Sequence, residues 1–463
     1  MKLWKHIKAA LAVHSNQKVF EADSEMTYEE LLIFAETYAE RLRGESSCAV
    51  ICRSELATAM GLLACFAAEV SAIPISLRYG ATHTKRIVDF IRPSSFITDV
   101  DGKLDFYRLP PAYISPQNRP AVIMFSSGTT GNPKGIMLGE EGILANVSDI
   151  CHYLNVGTSD SFLIARPLCH AAVLTGEFLT AITKGASIRF HSEAFQPHEI
   201  LSLASKHRCT VLCGTPTLLS LLARYRRKST PLSLKTICIS GECMSAETGL
   251  RIADAFEDAN IYHVYGLTEA SPRVSYLPPK LFRTHPDCVG IPLPSVKIKI
   301  LKEDGTQATV GEDGILYVKG PNIMLGYYLL PTATAKVLSD GWLSTGDIAM
   351  ITEEGLMKIK GRSDDMIIRA GINIYPQEVE GVMKEDPRVK DVLVYSYEDP
   401  IVGVGIGMKI SGDFASTGEV KALAKNLLPP YEVPTKIELL PELSRNEFGK
   451  IKRKLRKEQN NHV

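Results

Sequence analysis

Short apolar runs alternate with helix-forming segments from Cys48 to Val264, and this alternation limits the chain to a few architectures. Cys48–Cys52, Ala72–Ile75, Ser95–Asp99, Thr210–Leu212, Lys235–Ser240 and Ile261–Val264 read as strands. Leu56–Val70, Lys85–Ile91, Glu199–Lys206, Thr217–Ala223 and Ala246–Phe256 read as helices between them. Strands this apolar are buried on both faces, and strand–helix alternation builds a largely parallel sheet covered on both sides. Thr27 and Glu30 have the spacing of a capping box, so a helix starts there. After Val289 the pattern changes to strand-like runs, such as Ser295–Leu301 and Gly314–Val318, between Gly, Pro and Asp turns. Beyond Arg362 it changes again, with helices expected at Pro376–Lys384 and Glu419–Leu428 and a strand at Val389–Tyr397. A chain of 463 residues exceeds one ordinary core. The expected fold is α/β: a large N-terminal domain of parallel α/β sheets plus a β-rich subdomain, then a small α+β C-terminal domain.

One loop carries a chemical signal. Ala121–Phe125 reads as a buried strand, and it opens into Ser126-Ser127-Gly128-Thr129-Thr130-Gly131-Asn132-Pro133-Lys134-Gly135. Glycines let backbone N–H groups converge on an anion. Ser127, Thr129 and Thr130 add hydroxyl donors and Lys134 a positive charge, a set that suits a polyphosphate. The phosphate loop of kinases and GTPases requires Ser or Thr after the lysine. Gly135 stands there, so an ordinary kinase or GTPase is not the natural reading; the plain alternative is a polar turn between two elements.

The bulk numbers exclude other classes. Net charge is zero, so there is no basic footprint for nucleic acid. Ten cysteines without a CxxC pair suit buried small hydrophobes in a reducing, cytoplasmic setting. The segment Lys2–Val13 is interrupted by Lys8 and reads as an amphipathic helix, not a signal peptide. The most apolar region, Ala59–Ile75, contains Glu69 and fits a buried helix and strand better than a membrane span.

Four further motifs follow in order. Tyr265-Gly266-Leu267-Thr268-Glu269 comes after a strand, where open α/β sheets bind ligands. Tyr265 offers a flat face for a base, Thr268 a hydroxyl for a phosphate, and Glu269 a hard oxygen for Mg²⁺. Asp347, beside the turn at Gly346, can accept the hydroxyls of a ribose. Gly361-Arg362-Ser363-Asp364-Asp365 and Asn446-Glu447-Phe448-Gly449-Lys450 complete the set.

In this order, from Thr27 to Leu455, the motifs resemble those of the acyl-adenylate-forming family, which includes acyl-CoA synthetases. The resemblance implies an AMP-binding domain over residues 1–361 and a mobile domain over 362–463 that swings between two half-reactions. It implies that Ser126, Ser127, Gly128, Thr129, Thr130, Gly131 and Lys134 hold the β- and γ-phosphates of ATP. Gly241, Glu242 and Tyr265 then line the adenine site, Gly266 belongs to the ATP/AMP-binding set, Thr268 meets the α-phosphate and Glu269 binds Mg²⁺. Asp347 takes the ribose with Arg362 beside it, Asp364 is the hinge, Gly371 borders the CoA tunnel, and Lys450 reaches in for adenylation. A cation aimed at the charge developing in that step is worth roughly 2.7–4 kcal/mol.

Departures from the family pattern lie outside these core ATP roles. Gly139-Glu140 replaces a common Thr-His, Gly314-Ile315-Leu316 replaces Gly-Glu-Leu, Ile368 stands where a lysine is common, and the segment from Asp99 to Pro120 is shorter than usual. Pro167-Leu168-Cys169-His170 matches the family's acid-pocket entrance, so His170 is expected as a pocket or gating residue, or else as a satisfied interior histidine. Small apolar residues follow it, with no charge partner for an amino group, which favours an apolar fatty or aromatic acid. Glu177 is the exception, and it is either exposed or directed at a polar substrate group. CoA is the favoured acceptor. A carrier protein loaded by a stand-alone acyl-AMP ligase is the alternative, and a catalytically silent nucleotide-binding protein a lesser one.

Overall fold

The computed structural model describes residues 2–77, 80–100, 103–110, 112–126, 134–193, 195–227, 229–369, 372–399, 403–430, 432–445 and 451–452. Two mainly parallel sheets dominate. The first has nine strands, in the order Ile291–Pro292, Arg273–Leu277, Asn260–Gly266, Thr236–Ile239, Val211–Gly214, Ser161–Ile164, Ser187–Phe190, Lys18–Glu21, Ser24–Thr27. The six from Asn260–Gly266 to Lys18–Glu21 are parallel, and the others close the edges antiparallel. The second has seven strands, in the order Gly326–Tyr327, Lys134–Leu138, Val122–Ser126, Ser71–Pro74, Ser47–Ile51, Ser95–Val100, Lys103–Arg108.

Apolar residues of both sheets share one core. Cys48, Val50 and Ala72 of one sheet and Phe162, Ile164 and Ile188 of the other belong to the same buried cluster. Helices Lys2–Val13, Tyr28–Ala39, Glu55–Ala67 and Glu140–Tyr153 contribute to it. Lys2–Val13 buries Leu3, Ile7 and Leu11, one face at helical spacing. The expected capping box is present: Thr27 accepts from the Glu30 backbone while the Glu30 side chain accepts from that of Thr27. The helix expected to reach Val70 stops at Ala67, because Glu69 takes φ +58° to turn the chain into Ser71–Pro74. None of the described helices is long and apolar enough to cross a membrane.

The β-rich region is an antiparallel sheet of Lys297–Leu301, Gly314–Lys319, Trp342–Ile351 and Leu338–Ser339, with Met357–Arg362 paired to Trp342–Ile351. Beyond it, Val389–Asp399, Gly403–Gly412 and Lys436–Leu439 form a three-stranded sheet that packs with Pro376–Met383 and Thr417–Leu427 around a separate apolar cluster. Lys360 Nζ links the two regions, 3.0 Å from Asp313 and 3.8 Å from Glu378. The Tyr375 hydroxyl donates to the same Asp313 at 3.0 Å. Eight of the ten cysteines are buried and Cys151 is half-buried, as expected, but Cys243 is exposed beside the turn at Gly241.

Candidate active site

The site is assembled at strand ends of three sheets. Strand Asn260–Gly266 carries Tyr265 to its C-terminal end, and a short 3₁₀ turn, Thr268–Ala270, presents Thr268 and Glu269. The register pairs Asp347 with Arg362 on neighbouring antiparallel strands. Arg362 Nη1 donates to Asp347 Oδ1 at 3.1 Å and to the Thr345 carbonyl at 2.8 Å. Tyr265 donates its hydroxyl to Asp347 Oδ2. Gly346 takes φ +71°, and a Cβ there would stand 3.0 Å from Arg362 Nη2, so a side chain at this turn would crowd the guanidinium. Burial pushes the Asp347 carboxyl up, against the charge of Arg362 and the hydrogen bond from Tyr265. Each oxygen already accepts one bond and retains a second lone pair for a ligand hydroxyl. Tyr265 is therefore tied by its hydroxyl to the carboxylate, a link its motif alone does not reveal.

Glu269 follows Thr268 in the same turn. Its Oε1 accepts from the Tyr327 hydroxyl at 2.9 Å, and its backbone carbonyl accepts from Met324 N at 2.8 Å. Lys134 Nζ stands 5.4 Å from the centre of the Tyr327 ring, within cation–π range. The hairpin register sets Ser126 opposite Lys134. Thus the stem of the Ser/Gly/Thr loop, Tyr327 and Glu269 stand together. Residues 127–133, which hold Ser127, Gly128, Thr129, Thr130 and Gly131, lie outside the described residues, as do Gly371 and Lys450. Glu242 accepts from the backbone N (3.2 Å) and hydroxyl (2.7 Å) of Thr217, bracing the Gly241 turn at φ +94°. Asp364 is exposed in the turn Ser363–Asp365, directly after Arg362.

The segment after His170 departs from the sequence reading. His170 is half-buried and caps the segment Ala171–Val173, which continues as a π-helical turn, Leu174–Leu179. Glu177 on that turn is not exposed; it is 0% accessible. Its Oε1 accepts from Arg166 Nη2 at 2.6 Å. Burial raises its carboxyl above the ordinary range, opposed by Arg166 and Arg273. Arg273, 2% accessible, lies against the same helix: a Cβ on Gly176 would meet its Nη2 at 2.9 Å. The expectation of a purely apolar surround after His170 is corrected, since Arg166 and Arg273 come from segments that a local reading of the helix does not include. Their only sequence signal is an arginine inside an otherwise apolar strand neighbourhood. Glu55, 6% accessible, is another residue the sequence reading missed. It holds the loop before His170 by accepting from Leu168 N at 2.9 Å.

A family described as AMP-binding enzyme matches residues 101–328. A long-chain-fatty-acid–CoA ligase of Bacillus subtilis (strain 168) is 34% identical over 408 residues, 84% of this chain and 71% of that one. The chain belongs to the AMP-binding enzyme family, among its acyl-CoA ligases. A feruloyl-CoA synthase of an Amycolatopsis species is 33% identical over 71% of this chain and 68% of its own. The fold agrees: o-succinylbenzoate coenzyme A synthetase from Bacillus subtilis, solved with its acyl-adenylate, matches at a TM-score of 0.83 and 26% identity over 96% of both chains. The same synthetase solved with ATP and magnesium ion gives a TM-score of 0.84 at 25% identity over 97% of this chain and 98% of that one.

The residues of this family member suit a magnesium ion shared with phosphates. Glu269 Oε1 accepts from Tyr327, which leaves Oε2 available to a cation. Among the described residues no cluster of three His, Cys, Asp or Glu side chains forms a complete metal cage. A single carboxylate supplemented by phosphate and water is how Mg²⁺ is usually held.

Proposed function

We propose that this enzyme activates a carboxylic acid with an aliphatic or aromatic body as its acyl-adenylate, using ATP, and transfers the acyl group to the thiol of coenzyme A. The observation that carries the reading is Asp347 held between Tyr265 and Arg362, on the same site as Glu269 and Lys134. The arrangement suits a nucleotide with its ribose at Asp347 and its phosphates between Thr268 and the loop 126–134. The acid carboxylate attacks the α-phosphorus, and pyrophosphate departs toward Lys134. Thr268 orients the α-phosphate, and Lys450 faces the charge that develops during attack. Mg²⁺, when bound at Glu269, neutralises phosphate charge that would otherwise repel the incoming carboxylate. Excluding water protects the mixed anhydride until the thiol arrives.

The chain divides at 361/362 in this reading. Residues 362–463 turn about Asp364 so that Lys450 serves adenylation and Gly371 borders the CoA channel. The separate apolar cluster of this region supports a unit able to move as one body. The experiment is acid-dependent pyrophosphate release with ATP and Mg²⁺, followed by mass detection of acyl-CoA. Release without a CoA ester, but with a loaded carrier protein, would replace the acceptor. No release with any acid would overturn the reading.

A further inference from the structure

Residues 362–463 have their own apolar cluster, which takes no residue from before Ile367. A small polar group crosses from it to the rest of the chain. Asp313, just ahead of the strand Gly314–Lys319, accepts on Oδ2 from Lys360 Nζ and from the Tyr375 hydroxyl, each at 3.0 Å. Lys360 Nζ also stands 3.8 Å from Glu378 and 5.3 Å from the centre of the Tyr375 ring. Burial raises the Glu378 carboxyl, and Lys360 is the first of the charges that oppose it. A Cβ on Gly361 would collide with the Gln377 side chain, so the strand Met357–Arg362 and the helix Pro376–Met383 lie close together here.

Asp313 and Lys360 precede Asp364, the hinge of the reading above, and Tyr375 and Glu378 follow it. A rotation about Asp364 therefore carries Tyr375 and Glu378 away from partners that stay behind. The group is closed in one orientation of the small domain and opens for the other. Its chemistry suits repeated opening. Lys360, Asp313 and Glu378 keep 19%, 28% and 40% of their side chains exposed, and ion pairs in contact with water are weak and reform easily. An apolar seam would have to expose its surface to water in every cycle.

We propose that Asp313, Lys360, Tyr375 and Glu378 form a polar latch that holds residues 362–463 in one of two working orientations and sets the balance between the half-reactions. The inference rests on the two-step reading above and names residues that position the moving domain. Asp347 is bonded to Tyr265 and Arg362, not to any of these four, so they act through orientation, as positioning residues. In a two-state equilibrium the ratio of the two rates follows the ratio of the two orientations. Removing a contact made in only one orientation shifts that ratio toward the other.

The test measures the half-reactions separately in the full-length enzyme: pyrophosphate release with acid, ATP and Mg²⁺, and CoA-ester formation from supplied acyl-adenylate. Tyr375→Phe removes one hydroxyl, and Asp313→Asn removes the charge that Lys360 and Tyr375 share. Each should change the ratio of the two rates by about two- to fivefold, slowing one step and speeding the other. Lys360→Arg keeps the charge and should stay near the wild-type ratio, whereas Lys360→Met should not. Raising the ionic strength should move the wild-type ratio in the direction of the variants and move Lys360→Met least. A merely structural role would slow both steps alike and give no such salt response. Equal changes in both half-reactions would overturn the latch and spare the acid-activation reading. So would an unchanged ratio in Tyr375→Phe and Asp313→Asn, or a salt response in Lys360→Met as large as in the wild type. Absence of pyrophosphate release with every acid would end both.

Discussion

Asp347 and Glu177 are both buried carboxylates facing an arginine, yet their surroundings differ. Asp347 has both oxygens engaged, by Tyr265 and by an Arg362 that comes from the adjacent strand in register. Arg362 keeps 46% of its side chain exposed, so water screens the pair. Glu177 has one oxygen engaged, by an Arg166 whose side chain is only 14% exposed, and a second buried guanidinium stands close without a carboxylate of its own. The Asp347 pair is hydrogen-bonded on both oxygens and partly wet. The Glu177 pair is dry. A screened surface pair depends little on its partner, whereas a desolvated pair depends on it strongly.

The difference can be broken experimentally, starting with the largest effect. Lys450→Ala should slow adenylation by about 100–1000-fold while leaving thioester formation from supplied acyl-adenylate largely intact. Equal loss in both half-reactions, measured by pyrophosphate release and by CoA-ester formation, would contradict a lysine serving one of them. Glu177→Ala strands Arg166 in the interior and should reduce stability by about 3–5 kcal/mol in denaturant titrations. Arg362→Ala, at the screened pair, should cost less than about 1 kcal/mol of stability while raising KM for ATP. Comparable stability losses in these two variants would erase the distinction between the sides.

Two pH effects sharpen it. Burial raises the folded-state pKa of Glu177 above its unfolded value. Its contribution to stability is therefore fully present below the unfolded pKa and lost as pH rises through the folded one. Glu177→Gln should flatten that part of the stability–pH curve. At Asp347 the hydrogen bond from Tyr265 lowers a pKa that burial has raised. Tyr265→Phe should move the acid limb of the KM profile for ATP to higher pH; a shift to lower pH would contradict the link. The smallest effect is expected far from both sides. Thr27→Ala removes the capping box and should reduce stability by about 1 kcal/mol without altering either substrate's KM.

The Tyr265–Asp347–Arg362 set was legible because its parts are local. Tyr265, Thr268 and Glu269 share one turn, and Asp347 and Arg362 sit in short motifs with diagnostic glycines. The cluster of Arg166, Glu177 and Arg273 was not, because sheet order and the π-helical turn at Leu174–Leu179 bring its members together. Reading the helix after His170 by itself returned small apolar residues and one unexplained glutamate. Glu55 escaped notice for the same reason, since its partner Leu168 lies 113 residues away.

By itself, the sequence determined the parallel α/β sheets, the β-rich region and the α+β segment, because apolar periodicity and turn residues act over a few positions. It determined the family as well, through motif order. The tertiary structure alone decided that Tyr265 anchors Asp347, that Tyr327 joins Lys134 to Glu269, and that Arg166 and Glu177 are paired in the interior with Arg273 close by. Charge balance inside a protein depends on which distant segments share one desolvated volume, and that is a property of packing that no local pattern records.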